Sequence, residues 1–195
     1  RTRRDRFIHV DVLGRRIAKA INGHLTQYLY DRTDITQEVS EGGSVAYLRS
    51  LALDELFAVL RQDGFHFSLA DGLGSTLALT DQAGSAVVQY SYDPFGRTES
   101  AGPALPNPFQ FTGREHDGLA GLYYYRARYY SPALHRFLSP DPLGRPTDPV
   151  YAYANNNPVT YSDPLGLETI VIQGGPGSSG FGGSSASSSP NPGVG

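Results

Sequence analysis

The chain has 195 residues, with 16 Lys+Arg against 19 Asp+Glu and a formal net charge of −3. It lacks the positive surplus that phosphate binding needs, so nucleic acid is not expected as a main partner. Cysteine is absent, which excludes disulfides and thiolate metal sites. His9, His24, His66, His116 and His135 lie too far apart for metal-ligand spacing, so no cofactor is expected. No apolar run approaches the roughly 18 residues of a membrane span.

The chain opens at Arg1 without a signal-peptide pattern, as expected of a cut through a larger protein that carries its own export signal. Arg1 to Arg6 reads as a solvated strand edge in preference to a basic arm, because Asp5 interrupts the run. Phe7-Ile8-His9-Val10 alternates towards a strand, and Asp11 to Gly14 turns it. Leu25 to Asp31 is another strand with one buried face. Val45 to Arg61 is ambiguous. Its leucines nearly fit a helical stripe, but it also reads as two strands around a Leu53-Asp54-Glu55 turn, the preferred reading in a β neighbourhood. Asp63-Gly64 is a hairpin signal, and Phe65 to Leu69, Ser75 to Thr80 and Ala86 to Tyr92 follow as strands. Turns recur about every 10 residues, the rhythm of an all-β chain.

The turns also repeat. Asp11-Val12-Leu13-Gly14-Arg15 matches Asp93-Pro94-Phe95-Gly96-Arg97, and Tyr28-Leu29-Tyr30-Asp31 matches Tyr90-Ser91-Tyr92-Asp93. Tyr suits a half-wet strand. Asp starts the turn, Pro presets its second position and Gly closes it. Stacked hairpins of this kind bury one another's faces. Further on, Asp-Pro-Leu-Gly occurs twice, at Asp141–Gly144 and Asp163–Gly166, and from Gly174 the sequence is almost wholly Gly, Ser and Pro. That tail buries too little to offset its ordering entropy and is expected to be disordered. Glu168 to Gln173 is a short strand candidate.

With Phe111-Thr112-Gly113-Arg114-Glu115, Gly121 to Tyr130 (GLYYYRARYY), Arg136-Phe137-Leu138-Ser139-Pro140-Asp141-Pro142 and Asn155-Asn156-Asn157-Pro158, the sequence resembles the Rhs/YD-repeat family, and in particular its repeat-associated core. The resemblance runs from about residue 7 to Leu167. It implies an all-β fold, with YD-repeat hairpins over 1–108 forming part of a spiralling shell. A turn-rich core over 109–167 follows, then a variable tail over 168–195. It implies a core that plugs the shell, precedes a C-terminal effector, usually a toxin, and cuts its own chain. The partners implied are the rest of the shell, the effector, and a secretion-system or immunity partner. The implied location is secreted or cell envelope. Only 28 residues follow Leu167, so either the effector is missing from this chain or the chain is a truncated or degenerate member. Tyr130-Ser131-Pro132 and His135 depart from the Tyr-Asp-Pro and glycine common in the family.

Two close carboxyls share a proton, because both cannot ionise cheaply. The charged one takes a proton from water, and the neutral one donates to the leaving amine. By resemblance Asp141 and Asp163 are that pair, Arg136 orients or charge-pairs one of them, and the cut falls between Leu167 and Glu168. The residues alone leave a second reading open. Asp-Pro-x-Gly is an ordinary turn, and Asp93-Pro94-Phe95-Gly96 is a third copy with no claim to catalysis. On that reading the chain is a non-catalytic β scaffold. A third reading is carbohydrate binding through Tyr123 to Tyr130 and Asn155 to Asn157, although such a tyrosine ladder more often packs a sheet and Asn more often serves a turn.

Overall fold

The computed structural model describes residues 6–103, 105–118, 121–144 and 149–171. It is nearly all β, as the sequence predicts. Ten strands form one antiparallel meander in chain order. They are β1 (Arg6–Val10), β2 (Arg16–Ile21), β3 (His24–Asp31), β4 (Asp34–Ser40), β5 (Gly43–Arg49), β6 (Leu56–Arg61), β7 (Gly64–Ala70), β8 (Thr76–Thr80), β9 (Ala86–Tyr92) and β10 (Thr98–Ala101). The ambiguous stretch is thus β5, a turn and β6. The helical stripe loses because Tyr47 pairs with Val59 and both point into the core.

Two turn chemistries build the meander. The first is a two-residue tip, as at Asn22-Gly23, where both residues have positive φ (55° and 85°). The hairpin predicted at Asp63-Gly64 is displaced by one residue. Its tip is Gln62-Asp63, and Gly64 opens β7 at φ +120°, a conformation side chains rarely adopt. The second is the Asp-x-x-Gly turn at Asp11, Asp71, Asp81 and Asp93. In each, Oδ1 of the aspartate accepts the backbone N–H groups two and four residues on. Its carbonyl accepts the glycine N–H.

A tyrosine-rich core packs against one face of this sheet. It contains β11 (Glu115–His116), β12 (Tyr123–Tyr125), β13 (Arg128–Ser131) and β14 (Arg136–Phe137) in one sheet. A separate pair joins β15 (Tyr161–Ser162) to β16 (Ile170–Val171). One cluster under the meander holds Tyr28, Tyr47, Val59, Leu79 and Phe109. The second holds Phe111, Tyr123, Tyr125, Tyr130, Phe137 and Tyr153, and Tyr92 packs against both.

Tyr123, Tyr125 and Tyr130 are fully buried, so they serve the core and offer no sugar a stacking surface. Asn155 and Asn156 take φ 51° and 58° in a tight turn, as Asn readily does. The predicted strand at Glu168 to Gln173 is partly found as β16; Ile172, Gln173, the Gly/Ser/Pro tail and Arg1 to Asp5 lie outside the described residues.

Candidate functional site

The two Asp-Pro-Leu-Gly turns use the same chemistry as the repeat turns. Asp141 accepts Leu143 N–H on Oδ1 (2.8 Å), and its carbonyl accepts Gly144 N–H (3.1 Å). The carbonyl of Asp163 accepts Gly166 N–H (3.1 Å), and its Oδ1 accepts Leu167 N–H (2.9 Å). Two things set Asp163 apart. It is only 2 % exposed, whereas Asp11, Asp71, Asp81, Asp93 and Asp141 are half-buried. Its Oδ1 also accepts Glu168 N–H at 3.0 Å, one residue beyond the reach of the repeat turns.

Arg128 joins the two turns. It sits on the buried side of β13, and one of its nitrogens, Nη2, lies 3.2 Å from Asp163 Oδ2 and 3.5 Å from Asp141 Oδ2. The two carboxylate oxygens are therefore no farther apart than those contacts added together. Nη1 donates to the Val150 carbonyl (3.2 Å), which also accepts Asp141 N–H (2.8 Å). Nε donates to the Gly166 carbonyl (2.5 Å), and the guanidinium lies 3.7 Å from the centre of the Phe137 ring. Every nitrogen of this buried arginine is thereby occupied, as a buried charge requires.

Arg136, the arginine the resemblance implied for this role, is placed elsewhere. It is exposed on β14, with its guanidinium 5.5 Å from the centre of the Tyr151 ring. Among the described residues, Arg128 is the arginine in contact with both aspartates. The alternation of β13 held the signal for this. Arg128 and Tyr130 share a face, so an arginine beside a buried tyrosine needed a carboxylate. Sequence reasoning also missed Arg126, whose guanidinium donates to the Pro164 carbonyl (2.7 Å).

The electrostatics differ from a simple shared proton. Burial pushes the Asp163 carboxyl above the usual aspartate range, and the Asp141 charge adds to that push. The N–H groups of Leu167 and Glu168 and the Arg128 guanidinium oppose it. The pair is bridged by a cation, and Asp163 still favours its proton more than a solvated aspartate does. Among the described residues no cluster of His, Asp or Glu is arranged to hold a metal ion.

A meander of Tyr- and Asp-rich hairpins packed on an aromatic core defines a repeat-built β-shell fold. The Teneurin YD-shell family model matches residues 7–159, and the chain belongs to this Rhs/YD-shell family. Over 172 residues it is 35% identical to the tRNA nuclease WapA of Bacillus subtilis (strain 168), covering 80% of this chain and 7% of that protein. Over 102 residues it is 40% identical to the toxin protein Tse5 of Pseudomonas aeruginosa, covering 52% of this chain and 8% of that protein. The crystal structure of TcdB2-TccC3 without its hypervariable C-terminal region superposes with a TM-score of 0.67 at 25% identity, covering 83% of this chain and 9% of that one. The chain thus spans less than a tenth of the length of each of these proteins.

Proposed function

We propose that this chain is the C-terminal core of an Rhs-type toxin shell that encloses an effector and cuts its own backbone between Leu167 and Glu168. The observation that carries the reading is the hydrogen bond from Glu168 N–H to Asp163 Oδ1, with Arg128 linking that carboxyl to Asp141. Glu168 N is the leaving nitrogen of the bond in question. In the proposed step Asp141 takes a proton from a water that attacks the Leu167 carbonyl carbon. Asp163 gives its proton to Glu168 N as the C–N bond breaks. The products are a Leu167 carboxylic acid and a Glu168 amine, with the proton now on Asp141 and Asp163 left ionised. Arg128 fixes both carboxylates and offsets their charge. Holding the bond and both groups in one chain supplies proximity, worth several kcal/mol of barrier.

The division into YD hairpins over 1–108, core over 109–167 and variable tail from 168 belongs to the same reading. So do a secreted or envelope location and partnership with the rest of the shell, an effector, and a secretion-system or immunity protein. The toxin relatives support it. The test is the intact mass of a longer chain carrying the preceding repeats and the following segment. Release of a fragment that begins at Glu168 supports the reading, and an uncut chain counts against it. A second reading, a scaffold without chemistry, rests on Asp93, whose turn bonds match those of Asp141 although it lies next to no candidate bond.

A further inference from the structure

The turn that carries Asp163 is held by three consecutive residues of another turn. Arg126 and Ala127 form the tip between β12 and β13, with Arg126 at φ 55°. Arg126 Nη1 donates to the Pro164 carbonyl (2.7 Å), Ala127 N–H to the Leu165 carbonyl (3.2 Å), and Arg128 Nε to the Gly166 carbonyl (2.5 Å). Gly166 packs so closely that an added Cβ would lie 2.5 Å from the Tyr125 carbonyl oxygen.

Arg126 also faces the other way, towards the ten-stranded sheet. Its Nη2 reaches Asp34 Oδ1 on β4 (2.6 Å) and Asp54 Oδ1 in the β5–β6 turn (2.8 Å). Its Nη1 reaches Asp54 Oδ2 (3.0 Å). Asp54 is buried and is gripped from the core a second time by Arg114 Nη1 (2.5 Å). One guanidinium therefore spans two carboxylates of the sheet and one carbonyl of the Asp163 turn.

We infer that Arg126 is a positioning residue that makes cleavage conditional on docking of the core against the sheet. Asp34 and Asp54 immobilise its guanidinium, and the guanidinium fixes Pro164 beside Asp163. Without those carboxylates the guanidinium keeps, among the described residues, only the long bond from Nε to the Thr33 carbonyl (3.4 Å) on the sheet side, the arginine regains rotamer freedom, and one of the turn's three anchors is loosened. A misplacement of about 1 Å costs a reaction on the order of 100-fold. The device keeps a core that has not docked from cutting its chain. The inference rests on the cleavage reading, but part of its test does not.

The test uses the longer chain with its repeats and following segment. Asp34→Asn combined with Asp54→Asn is expected to slow the appearance of the Glu168 N-terminus by roughly 10- to 100-fold. The pH profile should keep its shape, because the acid and base remain. Arg126→Lys should fall between wild type and Arg126→Ala, since a lysine keeps the charge but not the planar fork. Unchanged rates in these variants would overturn the inference.

Hydrogen exchange decides the coupling independently of cleavage. In an Asp141→Asn chain, the paired Asn substitutions should speed exchange in the peptide over 163–168 at least about 10-fold relative to peptides over 123–131, as expected for local opening. Equal acceleration everywhere would show a merely structural role and overturn the inference. So would no change over 163–168. If the wild-type chain is never cut, the cleavage reading falls, while the exchange result still tells whether the sheet holds this turn.

Discussion

Asp163 Oδ1 receives the amide hydrogen of Glu168 at 3.0 Å, which puts a buried carboxyl against the nitrogen that a cut after Leu167 would free. On the proposed mechanism Asp163→Asn removes the acid and Asp141→Asn the base. Each is expected to leave the longer chain uncut, read as one intact mass. If both variants still release a fragment beginning at Glu168, the aspartyl mechanism is wrong even though the processing is right.

Arg128→Ala removes the one cation that Asp141 and Asp163 share among the described residues. It leaves Asp163 buried beside another carboxylate and takes one hydrogen bond each from the carbonyls of Val150 and Gly166. Breaking a buried pair in this way costs about 3–5 kcal/mol. Arg136→Ala, on an exposed side chain over Tyr151, should cost no more than about 0.5 kcal/mol. Denaturant titration of the two variants separates the roles, and equal losses would overturn this assignment.

These two arginines also mark the limit of what the sequence discloses. The hairpins were legible because Asp-x-x-Gly makes its bonds locally, within five residues, whatever surrounds it. Asp163 looks no different from Asp93 at that range. It becomes special because β12 and β13 pack against its turn, and Arg128 reaches it from 35 residues away. Arg128 and Arg136 are both arginines in tyrosine-rich motifs, so the resemblance alone had little to separate them. Strand register does it, by sending Arg128 inward and Arg136 outward. The hairpin at Asp63-Gly64 slipped by one residue for a smaller reason: its glycine is needed at the strand entry and not at the tip.

Gly144 and Gly166 close the two matched turns with similar backbones, φ 58° and 67°. An alanine at either pays for left-handed backbone, about 1–2 kcal/mol. At Gly144 the new methyl meets nothing within 4 Å among the described residues. At Gly166 it meets the Tyr125 carbonyl and the Arg128 amide. Gly166→Ala is therefore expected to lose about 1–3 kcal/mol more than Gly144→Ala, because overpacking adds to the backbone strain. Thermal or denaturant unfolding of the pair measures the difference, and equal losses would show that the second turn is not clamped.

Acid should act on Asp54 and Asp163 with opposite signs. Burial raises the Asp54 carboxyl, but Arg114 and Arg126 outweigh it and hold the group below the usual range. Its folded form binds the proton less readily than its unfolded form. The stability it supplies is therefore present above the ordinary aspartate range and lost as pH falls through the lowered value. Asp54→Asn should thus be less stable than wild type at neutral pH, with the gap closing in acid. Asp163 is raised by burial, so its folded form binds the proton more readily, and its contribution weakens as pH rises from the ordinary range through the raised value. Asp163→Asn should therefore compare more favourably with wild type at neutral pH than in mild acid. On the proposed mechanism the cut should also run faster on the acid side of that raised value, where Asp163 holds the proton it must donate. Denaturant unfolding of both variants across the acid range checks the signs, and parallel pH curves for Asp54→Asn and Asp163→Asn would refute them.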